Sequence, residues 1–371
     1  MKKILTIIFI LFSSCQIFLG PDHDTSPESV LTCLWNDFNE IHAYIDIRLT
    51  NSINNFSKWE DALLYYKERL SGNIRPQLSL FESCGQMLAE LRDPHVGLYA
   101  PGRSFHSSIP DDVLTERGWF QFRNNDNNST VQRRLYLDDG GVFSAVPDLM
   151  FLYGLFNEPY ETIGYIHIKS FSDSSNFGGT QGWVTQINDI VDFFNTVTDA
   201  VIVDIRNNDG GSTANMEYIA SRFATVKKDY LRISNKNGPG RNDFTAPVTN
   251  SIQPEGTRYA KNVVLLTNKS SVSAAEWFTL AMRAQPHVQH MGTATRGALS
   301  SRMARPMVNG WYYTISADKV EDINGKCYEG VGIRPENPEH YITGVWEFWE
   351  VSEGYNDRQL NHVLEYLASL P

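Results

Sequence analysis

The sequence predicts an α/β layered core behind an N-terminal helical region, and two observations carry that expectation. Apolar runs of strand length at Ile163–Ile168, Ala200–Ile205 and Val263–Leu266 alternate with helical periodicity near Gly182–Asn195, Ala214–Ala224 and beyond Ser273. Residues 28–92 instead carry apolar stripes at helical spacing. With 371 residues, 42% of them hydrophobic, the chain can build a large core or two modest domains.

The elements follow in chain order. Met1-Lys2-Lys3, the apolar run Ile4–Phe12 and Ser13-Ser14-Cys15 have the charge, length and small residues of a secretory signal over 1–15. The last of these resembles a bacterial lipobox, with Phe12 where leucine is more usual. The resemblance implies cleavage before Cys15, lipid attachment to it, and a place in the bacterial cell envelope. The alternative is a soluble secreted or periplasmic protein cut nearby. Residues 16–27, with Gly20, Pro21 and Pro27 among polar residues, read as a tether.

The helical subdomain, 28–96, has stripes Val30, Leu31, Leu34, Trp35, Phe38, then Trp59, Leu63, Leu64, Tyr66, then Leu78 through Met87, Leu88 and Leu91. Residues 97–160 read as a connecting region of short strands and loops, with turn-rich Asn124–Thr130 and Asp138–Gly141 between aliphatic runs. The α/β core spans 161–345. It includes a short strand near Val288–Met291 and extended pieces at Trp311–Ser316 and Gly332–Arg334. The segment 346–371 closes as an amphipathic helix, Asp357–Leu370.

Net charge of −11 with no basic block argues against a nucleic-acid or anionic-membrane surface, so any membrane contact would run through the lipid anchor alone. No cofactor is indicated. His287 and His290 have metal-like spacing but lack a third candidate ligand nearby. Without Cys15, three cysteines are left: Cys33 and Cys84 pair, or all three of Cys33, Cys84 and Cys327 are buried thiols.

Four segments carry chemistry. In NVVLLTNKSSVSAAEWF a strand and polar turn lead to Ser273 at the mouth of a helix, where free backbone N–H groups and the helix dipole favour an oxyanion. Ser273-x-x-Glu276 is equally a capping box. In VIVDIRNNDGGS, Gly210 and Gly211 let backbone amides approach an anion, while Asp204 and Arg206 read as an ion pair at the strand end. In LRDPHVGL, His95 is either a solvated loop histidine or a base held by the restricted backbone beside Pro94. In DINGKCYEGVGIRP, Glu329 stands beside a glycine-rich turn; a lone acid there is ordinarily a surface residue.

Together these motifs, with IGYIHIKSF and GTATRG and in this order, resemble the tail-specific (C-terminal processing) serine proteases and their tricorn-core and retinoid-binding relatives, over roughly residues 28–365. The resemblance implies a crotonase/Clp-protease-like ββα spiral core with Ser273 as nucleophile. It places one oxyanion donor on the Ala274 N–H and another on Gly210 or Gly211. The lysine of the Ser-Lys branch is replaced by Ala298, and Lys269 reads as solvated. The tricorn-like branch implies His95 as base and Glu329 as the acid that orients it, a constellation that activates an otherwise weak serine nucleophile. The polar neighbour usual beside that histidine is Pro94 here, with Asp93 as a conceivable substitute. No PDZ module is expected between His95 and Ile163. The implied function is a serine peptidase acting on peptide or unfolded protein, of open oligomeric state. The competing expectation is a non-catalytic lipoprotein binding an apolar ligand or peptide on the same scaffold.

Overall fold

The computed structural model describes residues 24–107, 135–136, 151–156, 158–172, 179–343, 346–347 and 356–370. The expected signal, Cys15, most of the tether and most of the stretch judged to lack a PDZ module lie outside those residues. The chain forms two compact units. One comprises Met1–Ile109, Ile233–Val248 and Ser300–Val320; the other comprises Pro110–Arg232, Thr249–Leu299 and Glu321–Pro371.

The first unit opens with helices α1 (Pro27–Ile41), α2 (Ile45–Leu49), α3 (Trp59–Ser71) and α4 (Leu80–Ala89). Ser26 caps α1 by accepting the Ser29 N–H at 3.3 Å, ahead of Pro27, which needs no partner at that position. The predicted stripes meet in one apolar cluster, Val30, Leu31, Leu34, Phe38, Trp59, Tyr66, Met87, Leu88 and Leu91 among them. Leu64 is a correction, being 63% exposed. Trp59, Ala62 and Tyr66 define the buried stripe of α3, and Leu64 falls on another face.

The same cluster takes in Leu98, Tyr313 and Ile315 from a four-stranded antiparallel sheet. Its strands are β1 (Gly97–Ala100), β2 (Arg103–His106), β11 (Arg302–Pro306) and β12 (Tyr312–Ser316), in the order β11-β12-β1-β2. The helical unit is therefore completed by strands from far along the chain.

The second unit is built on a six-stranded sheet of order β10-β9-β6-β5-β4-β3. Its strands are β3 (Leu135–Tyr136), β4 (Phe151–Phe156), β5 (Ile163–Ile168), β6 (Ala200–Asp204), β9 (Asn262–Thr267) and β10 (Val288–Gly292). Strands β5, β6, β9 and β10 pair in parallel, while β3 and β4 add antiparallel. Every residue of β5 and β6 is buried, the continuous pattern that a covered parallel sheet demands. Helices α5 (Gly179–Val197), α6 (Thr213–Ser221), α7 (Ala274–Arg283) and α8 (Arg358–Ala368) complete the alternation. Leu360, Val363, Leu364 and Leu367 of α8 pack on Phe156, Tyr165, Ile202 and Leu266.

At the end of β6, Arg206 and Asp204 form the expected ion pair, 2.7 Å apart and buried. Tyr165 Oη donates to Asp204 at 2.8 Å and Arg206 Nη1 to Gln359 at 3.0 Å, so the pair also ties down the C-terminal helix. Gly332–Arg334 is not a strand. Gly332 has φ of +79°, and an added Cβ would run into the Thr295 carbonyl, so this piece, which follows the turn at 329–331, packs on the 295–298 loop without joining a sheet. Strands β7 (Lys228–Asn235), β8 (Val248–Ile252), β11 and β13 (Asp318–Asp322) were not expected. No disulfide joins the described cysteines: Cys84 is buried, which pushes its thiol up to about 12, and Cys33 and Cys327 are half-buried.

Candidate active site

The register of the second unit's sheet assembles the site. Asp204 pairs with Leu266 and Thr267 with Gly292, so the loops leaving β6, β9 and β10 emerge side by side at the carboxyl ends of parallel strands. Hydrogen bonds stitch the three loops together. The Asn207 N–H donates to Asn268 Oδ1 at 3.0 Å and the Val272 N–H to the Asn208 carbonyl at 3.0 Å. The Arg296 N–H donates to the Ser271 carbonyl at 2.9 Å.

Ser273 stands where β9's loop becomes α7, with φ +62° and ψ −122°. A side-chain-bearing residue adopts such a backbone at a cost of about 1–3 kcal/mol, and only when its surroundings hold it there. Its N–H donates to the Ala298 carbonyl at 3.2 Å and to Glu276 Oε2 at 3.3 Å, and its carbonyl accepts the Glu276 N–H at 2.8 Å. The outline of a capping box is present, yet the Ser273 hydroxyl makes no capping hydrogen bond. The hydroxyl is left for other chemistry, unlike Ser79 of α4, whose Oγ accepts the Glu82 N–H at 3.4 Å.

Gly210 lies directly against the serine. A Cβ added there would sit 2.7 Å from the Val272 carbonyl, 2.8 Å from Ser273 Cβ and 3.0 Å from the Ala274 nitrogen, at φ +93°. Its own N–H is taken by Asn208 Oδ1 at 2.9 Å. Among the described residues the N–H groups of Gly211 and Ala274 have no hydrogen-bond partner. The latter opens α7, where helix geometry leaves amides unpaired.

Glu276 was legible only as a cap, and the structure gives it more. It is fully buried, with Oε1 accepting Thr295 Oγ1–H at 2.6 Å and the Gly297 N–H at 2.7 Å. Its Oε2 accepts the Ala298 N–H at 2.7 Å beside the Ser273 bond. Burial pushes this carboxyl up and the four donors pull it back. Its place in a helix turn whose other members are Ala274, Ala275 and Trp277 was the available signal, since no face of that turn is polar.

Glu329 is buried, contrary to the ordinary expectation for a lone acid, because its turn packs on the 295–298 loop. Its Oε2 accepts the Leu299 N–H at 2.9 Å, and the Gly330 N–H donates to the Gly297 carbonyl at 2.8 Å. Ser273, Ala274, Gly210, Gly211 and Glu329 thus belong to one unit, and His95 belongs to the other. Lys269, expected to be solvated, is half-buried and partnered on the loop before Ser273.

His95 is buried rather than a solvated loop residue. Its N–H donates to Asp93 Oδ1 at 2.8 Å and its carbonyl accepts Thr314 Oγ1–H at 2.7 Å, which anchors the backbone on both sides. Nδ1 has no hydrogen-bond partner among the described residues. Burial holds the imidazole below its ordinary value near 6.5; Arg48 and Arg302 add to that, and Asp93 and Asp318 oppose it. His290 Nε2 is engaged with Thr267 Oγ1 at 2.7 Å, and no three His, Cys, Asp or Glu side chains among the described residues are grouped to hold a metal.

Residues 162–338 match Peptidase family S41, a stretch that contains Gly210, Ser273 and Glu329 but not His95. The carboxy-terminal processing protease CtpB of Bacillus subtilis (strain 168) is 23% identical over 214 residues, 56% of this chain and 42% of its own length. The chain thus spans less than half of that curated relative. A Parabacteroides merdae ATCC 43184 protein, solved as a candidate peptidase, is 25% identical with a TM-score of 0.66, covering 87% of this chain and 91% of its own. Mature CPAF, solved with lactacystin, is 12% identical with a TM-score of 0.61 over 92% and 96% of the two chains, a likeness of fold alone.

In sequence and in fold the chain is similar to peptidases. The α/β core is the tricorn/Clp-like fold that the resemblance implied. Over residues 162–338, just under half of its length, the chain is similar to Peptidase family S41.

Proposed function

We propose that this protein hydrolyses peptide bonds in peptides or unfolded proteins with Ser273 as nucleophile, His95 as base and Glu329 as the acid that orients His95. Ser273 Oγ attacks the peptide carbonyl carbon while His95 takes its proton. The carbonyl oxygen becomes an oxyanion held by the N–H groups of Ala274 and Gly211. Collapse expels the amine, which receives the proton from His95, and water then releases the acyl group by the same steps. Gly210 is the spacer that lets the loop lie against Ser273, since its amide is already engaged by Asn208.

The observation that carries the reading is the backbone of Ser273. A strained serine with an uncommitted hydroxyl, at a helix mouth beside two unpaired amides, is more than a cap requires. Burial, with Arg48 and Arg302, biases His95 toward the neutral imidazole that a base requires. The N-terminal Lys2-Lys3, apolar run and Ser13-Ser14-Cys15 support export and lipid anchoring in a bacterial cell envelope. Cleavage near carboxy termini, which the Bacillus subtilis relative's name states for that protein, is a substrate class to be tried first.

A fluorophosphonate probe is expected to label the protein once, on the peptide that contains Ser273, as read by mass spectrometry. Labelling elsewhere, or none at all, would remove Ser273 as nucleophile.

A further inference from the structure

Behind His95, within the first unit, His42, Arg48, Asp93 and His95 gather with almost no access to water. Asp93 is the centre of the group. Its Oδ2 accepts from His42 Nε2 at 3.0 Å and from Ser316 Oγ at 2.8 Å, and its Oδ1 accepts the His95 N–H at 2.8 Å. Arg48 Nη2 lies 3.8 Å from Oδ1, while Nη1 donates to the Arg92 carbonyl at 3.1 Å. His42 Nδ1 accepts the Tyr44 N–H at 3.1 Å, which assigns the ring hydrogen to Nε2 and leaves both nitrogens engaged.

A turn of this kind needs one acceptor, and a neutral Asn or Ser supplies it. Burying a full charge with a histidine, an arginine and a hydroxyl around it is costly unless the charge itself has a use. We propose that Asp93, oriented by His42, is a positioning residue for His95: it fixes the histidine backbone and sets a negative charge beside the ring. The inference rests on His95 serving as the base.

The groups facing His95 set the direction of the test. Asp93 and Asp318 (at the start of β13) favour the protonated ring; Arg48 on α2 and Arg302 on β11 disfavour it, as does burial. Removing the Asp93 charge therefore makes the imidazolium less favourable, and the acid limb of the kcat/KM profile moves to lower pH. Asp93→Asn is expected to show that movement together with a fall in kcat of about 10- to 100-fold and little change in KM. A purely structural role would lower the folded fraction and leave the limb where it was; an unmoved limb overturns the proposal.

The His42 variants give a second reading should Asp93→Asn fail to fold. His42→Leu removes the donor to Asp93 and is expected to lower kcat. His42→Gln, whose amide can donate to Asp93 and accept from Tyr44, is expected to restore it. A fully active Leu variant, or a Gln variant as impaired as Leu, overturns the role of His42. His95→Gln run in parallel separates the two levels. Full activity there defeats the base itself, whereas an inactive His95→Gln beside an unshifted Asp93→Asn defeats the positioning role alone.

Discussion

Ser273→Ala is expected to lower kcat/KM for peptide hydrolysis by about 10⁴-fold or more, leaving only the rate supplied by substrate binding and the oxyanion donors. The variant should fold as well as the parent. Alanine keeps the Cβ, so it meets the same backbone at φ +62°, and the bonds that hold the residue come from its N–H and carbonyl, not from its hydroxyl. A control follows from the same geometry. Ser273→Gly should also be inactive, yet unfold at a higher denaturant concentration, because glycine adopts positive φ without the strain; the gain should be about 1 kcal/mol. Retained activity in the alanine variant would defeat the mechanism, and a glycine variant less stable than alanine would defeat the account of strain.

Glu276→Ala is expected to be the most damaging change for stability, costing roughly 3–5 kcal/mol in urea unfolding. Its carboxylate serves the N–H groups of Ser273, Gly297 and Ala298 and the hydroxyl of Thr295, all in one water-poor place. Truncation strands those donors, and they include the amide that holds the nucleophile's backbone. Activity should fall with stability, since Ala298 both accepts the Ser273 N–H and precedes the Leu299 amide that contacts Glu329. Glu276→Gln is the sharper comparison. It keeps the volume but turns an NH₂ toward backbone donors, so it should lose most of the same stability. A glutamine variant as stable as the parent would show that the negative charge is dispensable there.

Much of the core was legible because its signals are local. The apolar run Ile163–Ile168 predicts a strand, and β5 occupies those residues. Helix α7 was read from Ala274, Ala275, Phe278, Ala281 and Met282, and all five are buried. Strand β11 carried no such signal: Arg302, Met303, Ala304 and Pro306 are exposed, and the strand exists because β12 offers it a pairing edge. The burial of Glu329 escaped notice for a related reason, since it depends on a turn packing against a loop distant in the chain.

Apolar periodicity, turn chemistry and the order of short motifs are enough to name the four parallel strands of the six-stranded sheet, the helix that begins after Ser273 and the residue types on which hydrolysis would depend. Those properties reside in a few consecutive side chains. Folding decided which amides stay unpaired, that the Gly210 N–H is spent on Asn208, that Glu276 is a buried junction and that His42 stands behind Asp93. Each of these is a hydrogen bond or a close approach whose partner is set by three-dimensional packing, and a donor's neighbours in sequence do not determine which acceptor the fold will bring to it.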